Sequence, residues 1–187
     1  REEKRLMLKA ADIKPGQLLV AHPDLNDRYF RRSVVLVTEN TPNNTVGLVV
    51  NKPSLVSVAE AIEQNNDTEW PYDDTLYQGG PVNIKSLITI HTAEWHSSNT
   101  LNINDVVSIS SDNFMMEKMA TGNLPKNHRF VVGMCGWAPG QLQKEIDTGK
   151  GWLTCDSNES ILFEYSGPHQ WELAINLCAR YAINQYF

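Results

Sequence analysis

The chain has 187 residues, 41% hydrophobic and 20% charged, the usage of an ordinary globular domain. A chain of this length buries roughly 70% of its unfolded surface, so it needs no disulfide or metal staple to fold. Sixteen Lys and Arg against 22 Asp and Glu leave a net charge of −6, which disfavours a polyanionic partner. No apolar run approaches the ~20 residues of a membrane span.

In chain order, residues 1–12 are charged and mixed and suit at most a short helix. Pro15-Gly16 opens a strand over Gln17–Ala21, and Pro23 with residues 24–27 forms a turn. The run 34–37, the turn Thr41-Pro42-Asn43-Asn44 and the run 46–50 predict a hairpin of largely buried strands. Asn44 suits the left-handed conformation such a turn needs. Ser57 is a good N-cap for a helix over 58–64, with Glu60 completing a capping box. Residues 65–75 are polar, contain Pro71 and read as a loop. Strands follow over 87–90 and 106–109. Ser111 or Asp112 then caps a helix over 114–120, which Gly122 stops. A strand over 129–133 leads to a helix over 139–148, ended by Gly149. Residues 152–154 and 161–163 look like short strands. Pro168 suits the first turn of a final helix, in which Trp171, Ala174, Ile175, Cys178 and Ala182 share a face. No repeat or linker divides the chain, so residues 1–13 read as an N-terminal extension and 14–187 as a single domain.

Cys135, Cys155 and Cys178 cannot all pair within the chain and show no CxxC or metal spacing. Reduced thiols in the cytoplasm fit that usage. Residue 1 is Arg rather than Met, which leaves room for a targeting segment upstream. No zinc, EF-hand or dinucleotide-binding pattern occurs, so no cofactor and no metal are implied.

Four punctuated stretches stand beside strands. They are Ala21-His22-Pro23 through Asp27, Phe30 and Ser33; Gly47 through Asn51-Lys52-Pro53; Gly79-Gly80-Pro81-Val82; and Gly133-Met134-Cys135-Gly136-Trp137-Ala138-Pro139-Gly140-Gln141-Leu142, with Glu145 and Trp152 beyond. Together, in this order, they resemble the YqgE/AlgH family over about residues 14–187. The resemblance implies an α+β fold, a twisted mixed β-sheet curling toward a pseudo-barrel with flanking helices. It also implies the family's label of transcriptional regulator, which describes a genetic association. The chain departs from the family's usual His, Gly, Tyr and Glu at Asn40, Asn44, Met134 and Gln143.

The residues themselves offer several sites. Asn51, Gly79, Gly80, Gly136, Trp137, Gly140 and Gln141 give up bulk beside strand ends, where a ligand reaches backbone N–H groups. A helix start near Pro139 has free N–H groups for an anion. Against this, the glycines allow tight turns and Trp137 plugs the core. Cys135, in a strand–Gly-x-Cys–helix setting, resembles a nucleophile elbow but lacks its final Gly and any base tied to it by spacing. A small buried structural Cys is the simpler reading. Asp27 caps a turn or joins a polar site, and Glu145 shares a helix face with Gln141. Lys52 lacks P-loop spacing.

Three functional classes follow. The first is a ligand- or protein-binding module with an indirect regulatory role, taking a small anion or a peptide or protein partner. The second is a DNA-binding transcriptional regulator. It has only Arg28, Arg31 and Arg32 around Tyr29 and Phe30 in its favour, and no helix-turn-helix pattern, so specific nucleic-acid binding is not expected. The third is a hydrolase-type enzyme using Cys135 or the Asp27 and Glu145 carboxylates, for which no catalytic set is recognisable.

Overall fold

The computed structural model describes residues 8–64 and 69–186; expectations for residues 1–7 and 65–68 lie outside it. Its strands are β1 (Gln17–Ala21), β2 (Val34–Asn40), β3 (Thr45–Val49), β4 (Pro53–Ser57), β5 (Thr75–Gln78), β6 (Val82–Thr92), β7 (Leu101–Asn102), β8 (Val107–Ser110), β9 (His128–Trp137) and β10 (Trp152–Asp156). Its helices are α1 (Val58–Glu63), α2 (Asn113–Ala120), α3 (Gln141–Asp147), α4 (Glu159–Phe163) and α5 (Gly167–Tyr186), preceded by a 3-10 turn at Ala10–Asp12. The strands run β10-β1-β2-β3-β9-β6-β8-β7, with β5 also on β9 and β4 on β5. Only the β5–β9 pairing is parallel among the described strands. The result is a single α+β domain whose sheet curls into a half-barrel.

Continuous apolar runs in β1, β2 and β3 have a direct cause, because both faces of these strands are covered. Leu18, Val20, Val34, Leu36 and Leu48 enter a cluster with Cys155, Ala174 and Cys178. Their alternates Leu19, Ala21, Val35, Val37 and Val49 enter another with Cys135, Trp137 and Trp152. Period-two geometry sends neighbours to opposite faces, so burial on both sides demands an unbroken run. A third cluster joins Val58, Ile62, Trp70, Met115, Met119 and Phe130.

The hairpin forms, with Asn40 opposite Thr45. Its turn needs no left-handed Asn44; among the described residues the non-glycine positions at positive φ are Arg32 and Asn83. The Ser57–Glu60 capping box is present, and Asp112 caps α2 by accepting from the Met115 N–H. Elsewhere the boundaries move. Strand β9 runs to Trp137, four residues past the expected end, because Cys135–Trp137 pair with β3. Strands β4 and β5 form where no strand was expected, β5 beginning at the last residue of the expected 65–75 loop. Residues 161–163 are helical, not extended, because the Asn158 side chain caps α4 through the Ile161 N–H at 2.9 Å. On α5, Ala174 and Cys178 are buried as expected, whereas Ala182 is exposed. The extension is partly core: Ile13 is buried, and Leu8 and Ala10 pack beside it.

Candidate functional site

Residues 130–132 of β9 pair with β5 on one side and β6 on the other. Residues 79–81 therefore carry the chain across β9, touching its backbone. A Cβ at Gly80 would lie 2.1 Å from the Met134 carbonyl carbon, and one at Gly133 would lie 2.1 Å from the Gly80 oxygen. Gly79 donates to the Val132 carbonyl at 2.7 Å and accepts from the Val49 N–H at 2.8 Å. Gly79 and Gly80 thus form a packed crossing in which neither position has room for a side chain.

Asn51 is also spent on the fold. Its Oδ1 accepts the Val34 N–H at 2.9 Å, and its Nδ2 donates to the carbonyls of Arg32 at 2.9 Å and Gly167 at 3.2 Å. The side chain is buried and ties the start of β2 to the start of α5. Asn51, Gly79 and Gly80 are thus occupied by the protein's own main chain, whereas a Cβ at Gly136 would meet nothing within 4 Å.

The opening lies further along, where the β2–β3 turn, the 3-10 turn and α3 meet. A cavity of about 320 Å³ there is lined by Ala10, Asn40, Thr41, Gly140, Gln143 and neighbours, none of them titratable. Gly140, at φ +78°, is the left-handed N-cap of α3. The helix starts at Gln141 rather than Pro139 and runs for two turns. Gln141 closes the turn by accepting the Ala138 N–H at 3.0 Å, and its side chain is otherwise exposed. Two side-chain amides grip a main chain here. Asn40 Nδ2 donates to the carbonyls of Ala10 and Ile13, both at 2.8 Å. Gln143 Oε1 accepts the Ala10 N–H at 2.7 Å and Nε2 donates to the Leu8 carbonyl at 3.2 Å. Asn40, Asn44 and Gln143 all line the cavity. Nothing in the sequence marked Ala10 as a lining residue, and for Thr41 and Thr45 the only signal was the Asn/Thr-rich turn.

A second polar corner gathers Asp27, Lys52, Cys135, Trp137 and Glu145. Asp27 Oδ1 accepts the N–H groups of Tyr29 and Phe30, both at 2.8 Å, and so shapes the turn. Lys52 Nζ donates to the Tyr29 carbonyl and lies 5.3 Å from the Tyr29 ring centroid. Burial lowers the Lys52 pKa, opposed by the charge of Asp27. Cys135 is buried, its Sγ donating to the Gly79 carbonyl at 3.4 Å, and burial pushes its thiol up to about 12. That thiol is not ionised at neutral pH and is no ready nucleophile. Trp137 is buried edge-on against Trp152 at 5.8 Å and beside Phe30 at 6.4 Å. Burial raises the Glu145 carboxyl and the Asp27 charge adds to it, although the indoles of Trp137 and Trp152 favour the charged form. Glu145 Oε2 and Trp152 Nε1 nonetheless remain buried without a hydrogen-bond partner.

Among the described residues no group of His, Cys, Asp or Glu side chains has the arrangement of a metal site, and no helix is long and apolar enough to cross a membrane.

The AlgH-like family model matches residues 18–181. A UPF0301 protein of Xanthomonas euvesicatoria is 34% identical over 164 residues, covering 85% of this chain and 86% of its own length. Another from Marinomonas is 31% identical over 166 residues, covering 87% and 88%. Among solved structures, the AlgH protein of Pseudomonas aeruginosa superposes with a TM-score of 0.76 at 26% identity, covering 91% of this chain and 92% of its own. A protein of Corynebacterium diphtheriae gives 0.72, also at 26%, covering 94% of each. With the family model spanning nearly the whole domain, and both fold and sequence agreeing, the chain belongs to the AlgH-like family.

Proposed function

We propose that the chain is a binding module that takes a peptide segment at the corner between the β2–β3 turn and α3, and acts in regulation through a protein partner. The observation behind this is the paired amide grip. Asn40 and Gln143 bond to main-chain carbonyls and an N–H of residues 8–13, the groups any peptide offers. Beside that grip lies the 320 Å³ cavity, within the size range of small-ligand sites. Its uncharged lining favours a peptide carbonyl or amide over a free anion, which would lose hydration without gaining a counter-charge.

The other two readings have less behind them. Arg32 lies over the Trp171 ring at 5.7 Å, so part of the basic cluster is occupied within the fold. Burial raises the Cys135 thiol, which leaves the hydrolase reading with the Asp27 and Glu145 carboxylates alone.

Titration of the full chain with short peptides, phosphates and carboxylates, followed by backbone amide shifts, tests the proposal. Peptides are expected to move Ala10, Asn40, Thr41, Gly140 and Gln143 together. Ala138→Phe, placed to fill the cavity, should remove the response while the rest of the spectrum is preserved. No clustered shift with any peptide, or a response confined to phosphates, ends this reading.

A further inference from the structure

We propose that Cys155 and Cys178 are a redox pair that closes to a disulfide between the edge strand β10 and helix α5. The two sulfurs lie 2.8 Å apart, and both side chains are buried in one cluster. They are nearer than two sulfurs in simple contact, so closure to a bond of about 2.05 Å needs little movement. Cys135 sits in the other cluster, its thiol turned to the Gly79 carbonyl, and has no sulfur partner. Of three thiols, the structure pairs two and isolates one.

Contact with Cys155, and then burial, push the Cys178 thiol above its ordinary range, so the closed form reacts slowly. Reaction proceeds when the outer part of α5, where Arg180, Ala182 and Ile183 are exposed, opens locally. The oxidant is a small-molecule disulfide, R–S–S–R. The Cys178 thiol gives its proton to solvent and its sulfur attacks one R–S, forming a mixed disulfide. The departing thiolate takes up a proton as R–SH. The Cys155 sulfur, deprotonated in turn, attacks Cys178 and expels the second R–SH. Two protein thiols are oxidised by two electrons, and R–S–S–R is reduced to two R–SH.

The bond would join positions 23 residues apart. The loop it closes holds α4, the Phe163 and Tyr165 carbonyls that accept from the buried Arg129 guanidinium, and the Gly167 carbonyl bound by Asn51. Oxidation therefore fastens this whole layer to the sheet edge.

The test uses the full chain incubated natively with excess oxidised glutathione, then alkylated, digested and mapped by mass spectrometry. The expected result is a fall from three free thiols to one, at Cys135, with residues 155 and 178 linked. The melting temperature should rise by on the order of 5–10 °C and return on adding dithiothreitol. Cys178→Ser should abolish the shift; if that variant does not fold, the wild-type thiol count and map decide. Three thiols surviving the native incubation, a stable glutathione adduct without closure, or a bond involving Cys135 would each overturn the proposal.

Discussion

Gly80 lies backbone to backbone against Met134, so that a Cβ at position 80 would fall 2.1 Å from the Met134 carbonyl carbon. Neither partner is a flexible side chain that can turn aside. Gly80→Ala is expected to cost about 3 kcal/mol or more, or to prevent folding, because relief requires moving β9 itself. Two other glycines calibrate the result. Gly122, at φ +96° with open space around it, should lose about 1–2 kcal/mol as Ala. Gly136, open and without positive φ, should lose under about 0.5 kcal/mol. Urea denaturation of the three variants checks the order; a Gly80→Ala chain as stable as Gly136→Ala would contradict the crossing.

Asn51 satisfies three main-chain groups from one buried side chain. Removing it in Asn51→Ala leaves an N–H and two carbonyls without partners, at a cost of about 2–4 kcal/mol. Asn51→Asp should be worse at neutral pH, since a carboxylate would face the carbonyls of Arg32 and Gly167. Chemical denaturation measures both. A loss under about 1 kcal/mol in Asn51→Ala would free Asn51 from its structural role.

Burial raises the Glu145 carboxyl above the usual carboxylate range. In the pH window between the ordinary and the raised value, the folded chain holds a proton that the unfolded chain has lost. The contribution of Glu145 to stability is thus fully present below the ordinary value and is lost as pH rises through the folded value. Glu145→Gln should flatten this part of the stability–pH curve and leave the chain more stable than wild type at neutral pH. Thermal melts from pH 4 to 8 read the difference, and a curve unchanged by the substitution would show that the fold does not raise the Glu145 carboxyl.

Much of the fold was legible because its signals are local. The unbroken apolar runs of β1 and β2, the Ser57–Glu60 capping box and the Asp112 cap depend on residues within a turn or a strand of each other. The family was legible in four motifs and their separations. What local signals missed were elements made by partners far along the chain. Residues 135–137 read as a turn yet extend β9 because β3 pairs with them. Residues 161–163 have strand-like composition, yet the Asn158 cap makes them helical.

The candidate site divides the same way. Punctuation alone marked Asn51, Gly79, Gly80 and the 133–142 stretch as tight turns beside strands; of these, Gly80, Gly133 and Gly140 take positive φ, and Asn51 does not. Which of them are filled and which are open follows from packing between distant segments. Gly79, Gly80 and Gly133 are consumed where the chain crosses β9, and Asn51 by the tie between β2 and α5. Gly140 is left facing a cavity whose walls come from positions 10, 40 and 143. The physical reason is distance along the chain: whether a glycine meets another backbone or empty space depends on segments that approach it only after the sheet has curled.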